Sequence, residues 1–234
     1  MMHLVLDYST LIPCNDKPKN EQKAVASLGE ILISVNTTWY VSTEYLKTLY
    51  SIFSRMSREC HPLPKLQRGL LRNLRQILRL SYSKSKWCKA VPLRIESSGS
   101  IGSSKLRVHI VGKHASDILK QYSTLLSRVP ELQILSNDSR EVLALALKAS
   151  SIANETVYVA TTDTLLLDTI NRVLDIANEL EDRAAENLKR LKPLTPSQLL
   201  QEAIRIKLVE VIEEVEKEQE LEVEFLSQRQ QTTF

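Results

Sequence analysis

Two apolar runs far apart in this chain each lead into an aspartate. Leu4-Val5-Leu6 ends on Asp7 and is followed by Tyr8-Ser9-Thr10; Val157-Tyr158-Val159-Ala160 leads through Thr161-Thr162 to Asp163. Neither run alternates polar with apolar residues. A short run of that kind reads as a strand buried on both faces, the usual state of strands in a parallel sheet. Ligands of open parallel sheets bind beyond the carboxyl ends of the strands. Two carboxylates at two such ends can meet in one place, and like charges brought together out of water call for a cation.

The chain has 234 residues, 43% hydrophobic and 25% charged. That balance suits a globular protein with one large domain, or one domain with appendages. No apolar stretch reaches the ~18 residues of a membrane-spanning helix, so no membrane partner is expected. Asp7 comes too early for the apolar core of a secretory leader. Cys14, Cys60 and Cys88 are widely spaced, as in a reducing compartment, and the expected location is cytoplasmic. The net charge of +3 conceals a split. Arg55 to Lys120 holds 15 basic residues against three acids, while Gln201 to Phe234 holds nine glutamates against four basic residues. A basic middle and an acidic tail suit different partners.

Between the two opening runs, Val25, Leu28, Ile31 and Leu32 give Glu21 to Ser34 a helical spacing. Trp39-Tyr40-Val41-Ser42 reads as a second strand, with Ser42 capping a helix from Thr43 to about Arg58. Pro62 and Pro64 break that helix. Another, over Lys65 to Leu80, carries Arg68, Arg72, Arg75 and Arg79 on one face. Ser81 to Ser104 reads as a loop with a strand at Val91 to Ile95, hairpinned to a strand at Leu106 to Val111. His114 to Arg128 reads as helix, Leu132 to Leu135 as strand, and Glu141 to about Ser151 as a strongly apolar helix. Thr164 to Leu191 reads as one long helix, with Asp163 placed to cap it. Pro193 and Pro196 mark a linker, and Thr195 caps a last helix running to about Gln219. That helix carries a stripe of Leu200, Ile204, Leu208, Val211 and Val215. Neither a phosphate-binding glycine loop nor a Gly-x-Ser-x-Gly nucleophile motif occurs. Cys60-His61 and Cys88 have no second close pair, which excludes an ordinary zinc site.

The segment from Ile134 to Leu147, with Asn137-Asp138 ahead of an Ala/Leu-rich helix, followed by Val157 to Leu166 with Thr161-Thr162-Asp163, resembles a PIN domain. This is the fold of metal-dependent toxin ribonucleases and ribosomal-RNA-processing endonucleases. The family opens with a strand ending in aspartate, like Leu4 to Ser9 here. It places an acid at the start of an Ala/Leu-rich helix, like Asp138 or Glu141, and ends a later strand in Thr-x-Asp. Order and spacing match over roughly Met2 to Asn178, apart from the basic middle. The resemblance implies a three-layer α/β/α sandwich with a central parallel sheet over residues 1–192. A basic insertion falls at about 60–112, and a helical extension and tail at 193–234. It also implies a metal-dependent endoribonuclease, in which carboxylates hold Mg2+ or Mn2+ to neutralise phosphate charge and activate water. Asp7, Asp138 and Asp163 are the implied metal ligands, with Glu44 and Glu141 completing the catalytic set. Ser9, Thr161 and Thr162 would orient water or phosphate.

The sequence departs from the family pattern at three places. Thr48 stands where an acid is usual on the helix after the second strand, with Glu44 one turn earlier. The usual acid of the Ala/Leu-rich helix falls on Ser139, flanked by Asp138. A further acid often found two residues past the Thr-x-Asp is here Leu165. Two functions therefore stay open: a metal-dependent nuclease, or a PIN-like domain that binds RNA or a protein without cutting. RNA is the expected partner because Arg68, Arg72, Arg75, Arg79, Lys84 and Lys86 form a basic stretch beside Trp87, whose ring can stack on a base. The stripe on the last helix adds an expected surface for a second copy or a protein partner.

Overall fold

A computed structural model describes residues 1–11, 23–24, 35–59, 90–93, 106–180 and 183–209. Its strands are β1 (Met2–Leu6), β2 (Thr37–Ser42), β3 (Ala90–Leu93), β4 (Leu106–Val111), β5 (Val157–Ala160) and β6 (Leu191–Leu194). They form one sheet in the order β3-β4-β2-β1-β5-β6. Five strands run parallel, and β3 pairs antiparallel with β4 at one edge. The helices are α1 (Tyr8–Leu11), α2 (Thr43–Glu59), α3 (Ala115–Gln121), α4 (Ser123–Leu126), α5 (Asn137–Ile152), α6 (Thr164–Glu179) and α7 (Arg183–Leu188). A last helix, α8, spans 196–209. The α/β class with a central parallel sheet is as expected from the two apolar runs.

Every residue of β1, β2 and β5 is buried, which is why those runs do not alternate: both faces are covered. Helix α5 packs across β1, β2, β5 and β6. Its unbroken buried run from Val142 to Leu147 alternates Leu with Ala, and the small residues let the helix lie close to the sheet. Leu143 and Leu147 are fully buried, so truncating either to alanine costs about 2–5 kcal/mol.

The order of strands creates one special place. From β1 the chain moves outward to β2 and β4, then returns to the other side of β1 for β5 and β6. This reversal leaves a crevice between β1 and β5 at their carboxyl ends, where open α/β sheets bind ligands. Leu6 sits opposite Ala160 in the parallel register. Asp7 follows directly, and its N–H donates to the Ala160 carbonyl at 2.8 Å.

Four segments differ from the sequence expectations. Leu132 to Leu135 is no strand: Pro130–Gln133 is a 3-10 turn started by its proline, and Ile134 is 69% exposed. The helix expected over His114 to Arg128 is two short helices divided at Tyr122. The long helix to Leu191 stops at Glu179 and is followed by α7 and β6. The linker expected from Pro193 begins instead with β6, which pairs parallel with β5. Proline is tolerated there because β6 is an edge strand with one side free of ladder bonds. The β3–β4 hairpin and the α2 cap at Ser42 form as expected, the latter through the Tyr45 N–H at 2.8 Å. Thr195 caps α8 reciprocally with Gln198. The arginine-bearing helix over Lys65 to Leu80, most of Glu21 to Ser34 and the last helix beyond residue 209 lie outside the described residues.

His3 on β1 shares a 2.9 Å hydrogen bond with the Tyr40 hydroxyl, and the Tyr40 ring lies 5.0 Å from that of His109 on β4. Burial holds both imidazoles below the ordinary 6.5. Lys148 adds to the effect at His109, while Glu155 opposes it at His3. Such groups bind protons more readily in the unfolded chain. Stability is therefore full above pH ~7 and declines as pH falls through 6.5 toward the lowered folded values. Urea unfolding at about pH 7.5 and 5.5 checks this; a His3→Gln/His109→Gln variant is expected to flatten the decline.

Candidate functional site

The crevice is built by residues that follow the strand ends. Asp7, only 6% exposed, accepts two hydroxyl hydrogen bonds on its Oδ2, from Ser9 at 2.5 Å and from Thr161 at 2.6 Å. These hydroxyls are themselves held from the β5 side. The Asp163 N–H donates to Thr161 Oγ1 at 2.9 Å, and the Thr162 N–H donates to Ser9 Oγ at 3.0 Å. The strand-end segments of β1 and β5 are thus stitched together through the Asp7 carboxylate.

Asp163 performs a second task. Its Oδ1 accepts the N–H groups of Leu165 and Leu166, at 3.0 and 3.3 Å, capping α6. The positive end of the helix dipole adds to those bonds in stabilising its charge. Its Oδ2 accepts the Ser139 hydroxyl at 2.9 Å. Ser139 in turn lies 2.8 Å from the Ser136 hydroxyl, the cap of α5.

Glu141 belongs to an adjoining cluster. Its Oε2 accepts the Tyr8 hydroxyl at 3.1 Å, and its Oε1 accepts the Ser42 hydroxyl. Tyr8 stacks on Tyr45 with ring centroids 4.4 Å apart, and the Tyr45 hydroxyl donates to the Leu6 carbonyl at 2.7 Å. Burial, reinforced by the Glu141 charge, raises the Tyr8 phenol far above its ordinary 10.0, against an opposing hydrogen bond from Thr48. The phenol therefore stays protonated and remains a donor to Glu141.

Hydrogen bonds link Asp7, Ser9, Thr161, Thr162 and Asp163 at the ends of β1 and β5. Glu141 stands beside them but is tied to Tyr8 and Ser42. Asp138 lies exposed in the first turn of α5, near enough for its charge to act on Tyr8. Glu44 is exposed in the first turn of α2 and makes no hydrogen bond or ion pair among the described residues. Arg68, Arg72, Arg75, Arg79, Lys84, Lys86 and Trp87 lie outside the described residues. Sequence reasoning missed Tyr8, Ser42 and Tyr45 as members of the site. The Tyr-Ser-Thr following Asp7 and the Ser42-to-Tyr45 capping interval were the available signals.

A metal nuclease needs carboxylates converging on one cation. Among the described residues, no group of three or more His, Cys, Asp or Glu is placed to hold a metal ion. Two positions where the resemblance would put further acids hold hydroxyl residues instead, Thr48 and Ser139, and Ser139 bonds Asp163. The donor set is therefore a poor fit to a three-carboxylate cradle. Asp7 Oδ2 already accepts two hydroxyls, and Asp163 accepts Ser139 and the N-terminus of α6.

No family model, curated protein or solved structure matches this chain.

Thr161 is fully buried and joins the two aspartates as both donor and acceptor. Thr161→Val removes both bonds in one step and is expected to cost about 1–3 kcal/mol in urea unfolding, while Thr161→Ser stays near wild type.

Proposed function

We propose that this chain is a PIN-like domain that binds RNA without metal-dependent cleavage, its strand-end aspartates serving as structural caps and ties. One observation carries this reading: the Ser139 hydroxyl donates to Asp163 Oδ2 at the place where the family pattern has an acid. A hydroxyl there consumes a carboxylate lone pair and adds no charge to attract a cation. The parallel sheet with its crevice between β1 and β5 is consistent with a PIN-like sandwich. The RNA reading rests on the sequence. Arg68, Arg72, Arg75 and Arg79 recur in the sequence at steps of four, three and four, followed by Lys84, Lys86 and Trp87. Guanidinium groups track a phosphate backbone, and an indole stacks on an unpaired base. The compartment in this reading is the cytoplasm, where RNA is available to such a surface.

A second reading, a metal-dependent endoribonuclease, is favoured by the placing of Asp7 and Asp163 at the ends of neighbouring strands, where Thr161 bonds the Asp7 carboxylate and the Asp163 N–H. Glu141 accepts from Tyr8, the residue after Asp7, and Asp138 precedes Ser139, which bonds Asp163.

One experiment separates the two. Single-stranded RNA is titrated with the full chain by fluorescence anisotropy, and the same mixtures are followed for cleavage in Mg2+ or Mn2+. The proposal predicts salt-dependent binding, no cleavage, and no effect of Asp7→Asn on binding beyond its effect on folding. Replacing the four arginines with glutamine is expected to weaken binding by more than about tenfold and to flatten its salt dependence. Cleavage by wild type that Asp7→Asn abolishes would establish the nuclease reading, and absence of RNA binding would overturn both.

A further inference from the structure

Helices α3 and α4 and the 3-10 turn over Pro130–Gln133 surround a groove of about 490 Å3, none of whose lining residues belongs to the Asp7 or Glu141 clusters. Ile118, Leu125 and Val129 are buried and root its walls in the core. Arg140 on α5 fixes the turn. It donates through Nε and Nη2 to the Leu132 carbonyl at 3.3 and 3.1 Å, and through Nη2 to the Gln133 carbonyl at 3.0 Å. A preformed groove of this volume is the size that holds a small organic ligand.

Its chemistry is divided. Leu119, Leu126 and Leu132 supply apolar surface, while Lys120, Arg128, Ser116 and Ser123 line the same groove. No acid lines it among the described residues. Arg128 pairs with Glu179 through one nitrogen at 2.6 Å and keeps further N–H donors. The side chains of Lys120, Ser116, Ser123 and Gln133 have no hydrogen-bond partner among the described residues. Unengaged cations and hydroxyls beside apolar surface suit an anion that carries a flat apolar body. A nucleotide combines these features, and its base edge presents donors and acceptors. The Gln133 amide offers one of each, the pairing that reads a base edge.

We infer that this groove binds one nucleotide, with its phosphate on Lys120 and Arg128, its base against Leu119, Leu126 and Leu132, and the base edge on Gln133. The nucleotide is free or one unit of an RNA strand; for the strand, the inference rests on the RNA-binding reading.

Titration of the full chain with adenosine monophosphate, inorganic phosphate and a single-stranded oligoadenylate, followed by saturation-transfer NMR and fluorescence anisotropy, tests this. Wild type is expected to bind adenosine monophosphate at least about tenfold more tightly than phosphate, because the groove also buries the base. Lys120→Gln and Gln133→Ala are each expected to weaken that binding by more than about threefold. Arg172→Gln, an equal charge change on α6, is expected to leave it unchanged. All three sites are exposed, so circular dichroism should match wild type. Groove variants that also weaken oligoadenylate binding assign the groove to the strand; variants that weaken only adenosine monophosphate assign it to the free nucleotide. Adenosine monophosphate bound no better than phosphate, or equally by wild type and Lys120→Gln, overturns the inference if oligoadenylate binding is also unchanged by the variants. Replacing the four arginines separates the two readings. Loss of RNA binding there, with groove variants that change neither ligand, overturns only the groove; a wild type that binds the monophosphate but not RNA overturns only the RNA-binding reading.

Discussion

The Asp7 carboxylate is the interaction on which the rest of the crevice depends. It sits at the end of the central strand, almost wholly out of water, where an uncompensated charge would cost several kcal/mol. Its Oδ2 is met by the Ser9 and Thr161 hydroxyls. Those hydroxyls accept backbone N–H groups of Thr162 and Asp163, so the carboxylate organises the turn after β5 as well as its own. Hydrogen bonds to a charged acceptor are stronger than neutral ones, and here they fasten two strands whose connection spans most of the chain.

The same economy of charge recurs around it. Asp163 is met by two backbone N–H groups and by Ser139, and Glu141 by Tyr8 and Ser42. Helices α2, α5 and α6 all begin at this edge of the sheet, and their N-termini favour negative charge beside them. Three acids are thus accommodated by hydroxyls and helix ends. These donors are the physical basis on which binding rather than cutting is proposed.

Much of this was legible in the sequence. Lack of alternation in Leu4 to Leu6 and Val157 to Ala160 marked the central strands, and their aspartates marked the crevice. Ser42 and Asp163 announced themselves as caps because capping needs only local spacing. Leu132 to Leu135 misled because a four-residue segment with three apolar members has no period that separates strand from turn, and Pro130 starts the 3-10 turn seen there. Pro193 misled because proline marks linkers and edge strands alike; only the pairing with β5 distinguishes them. The role of Glu141 was illegible because its partners, Tyr8 and Ser42, are 133 and 99 residues away in sequence. Helix α8 was read as one apolar stripe, whereas its docking face of Leu199, Ala203 and Ile206 lies on the other side.

Asp7 Oδ2 and both carboxylate oxygens of Asp163 are met by protein donors, and in the proposed reading neither aspartate recruits a cation. Calorimetric titration of the full chain with Mn2+ tests it most directly. No saturable binding that depends on these two residues is expected, so that wild type and Asp7→Asn give superimposable traces. Stoichiometric binding of one or two ions to wild type, lost in Asp7→Asn, would contradict it.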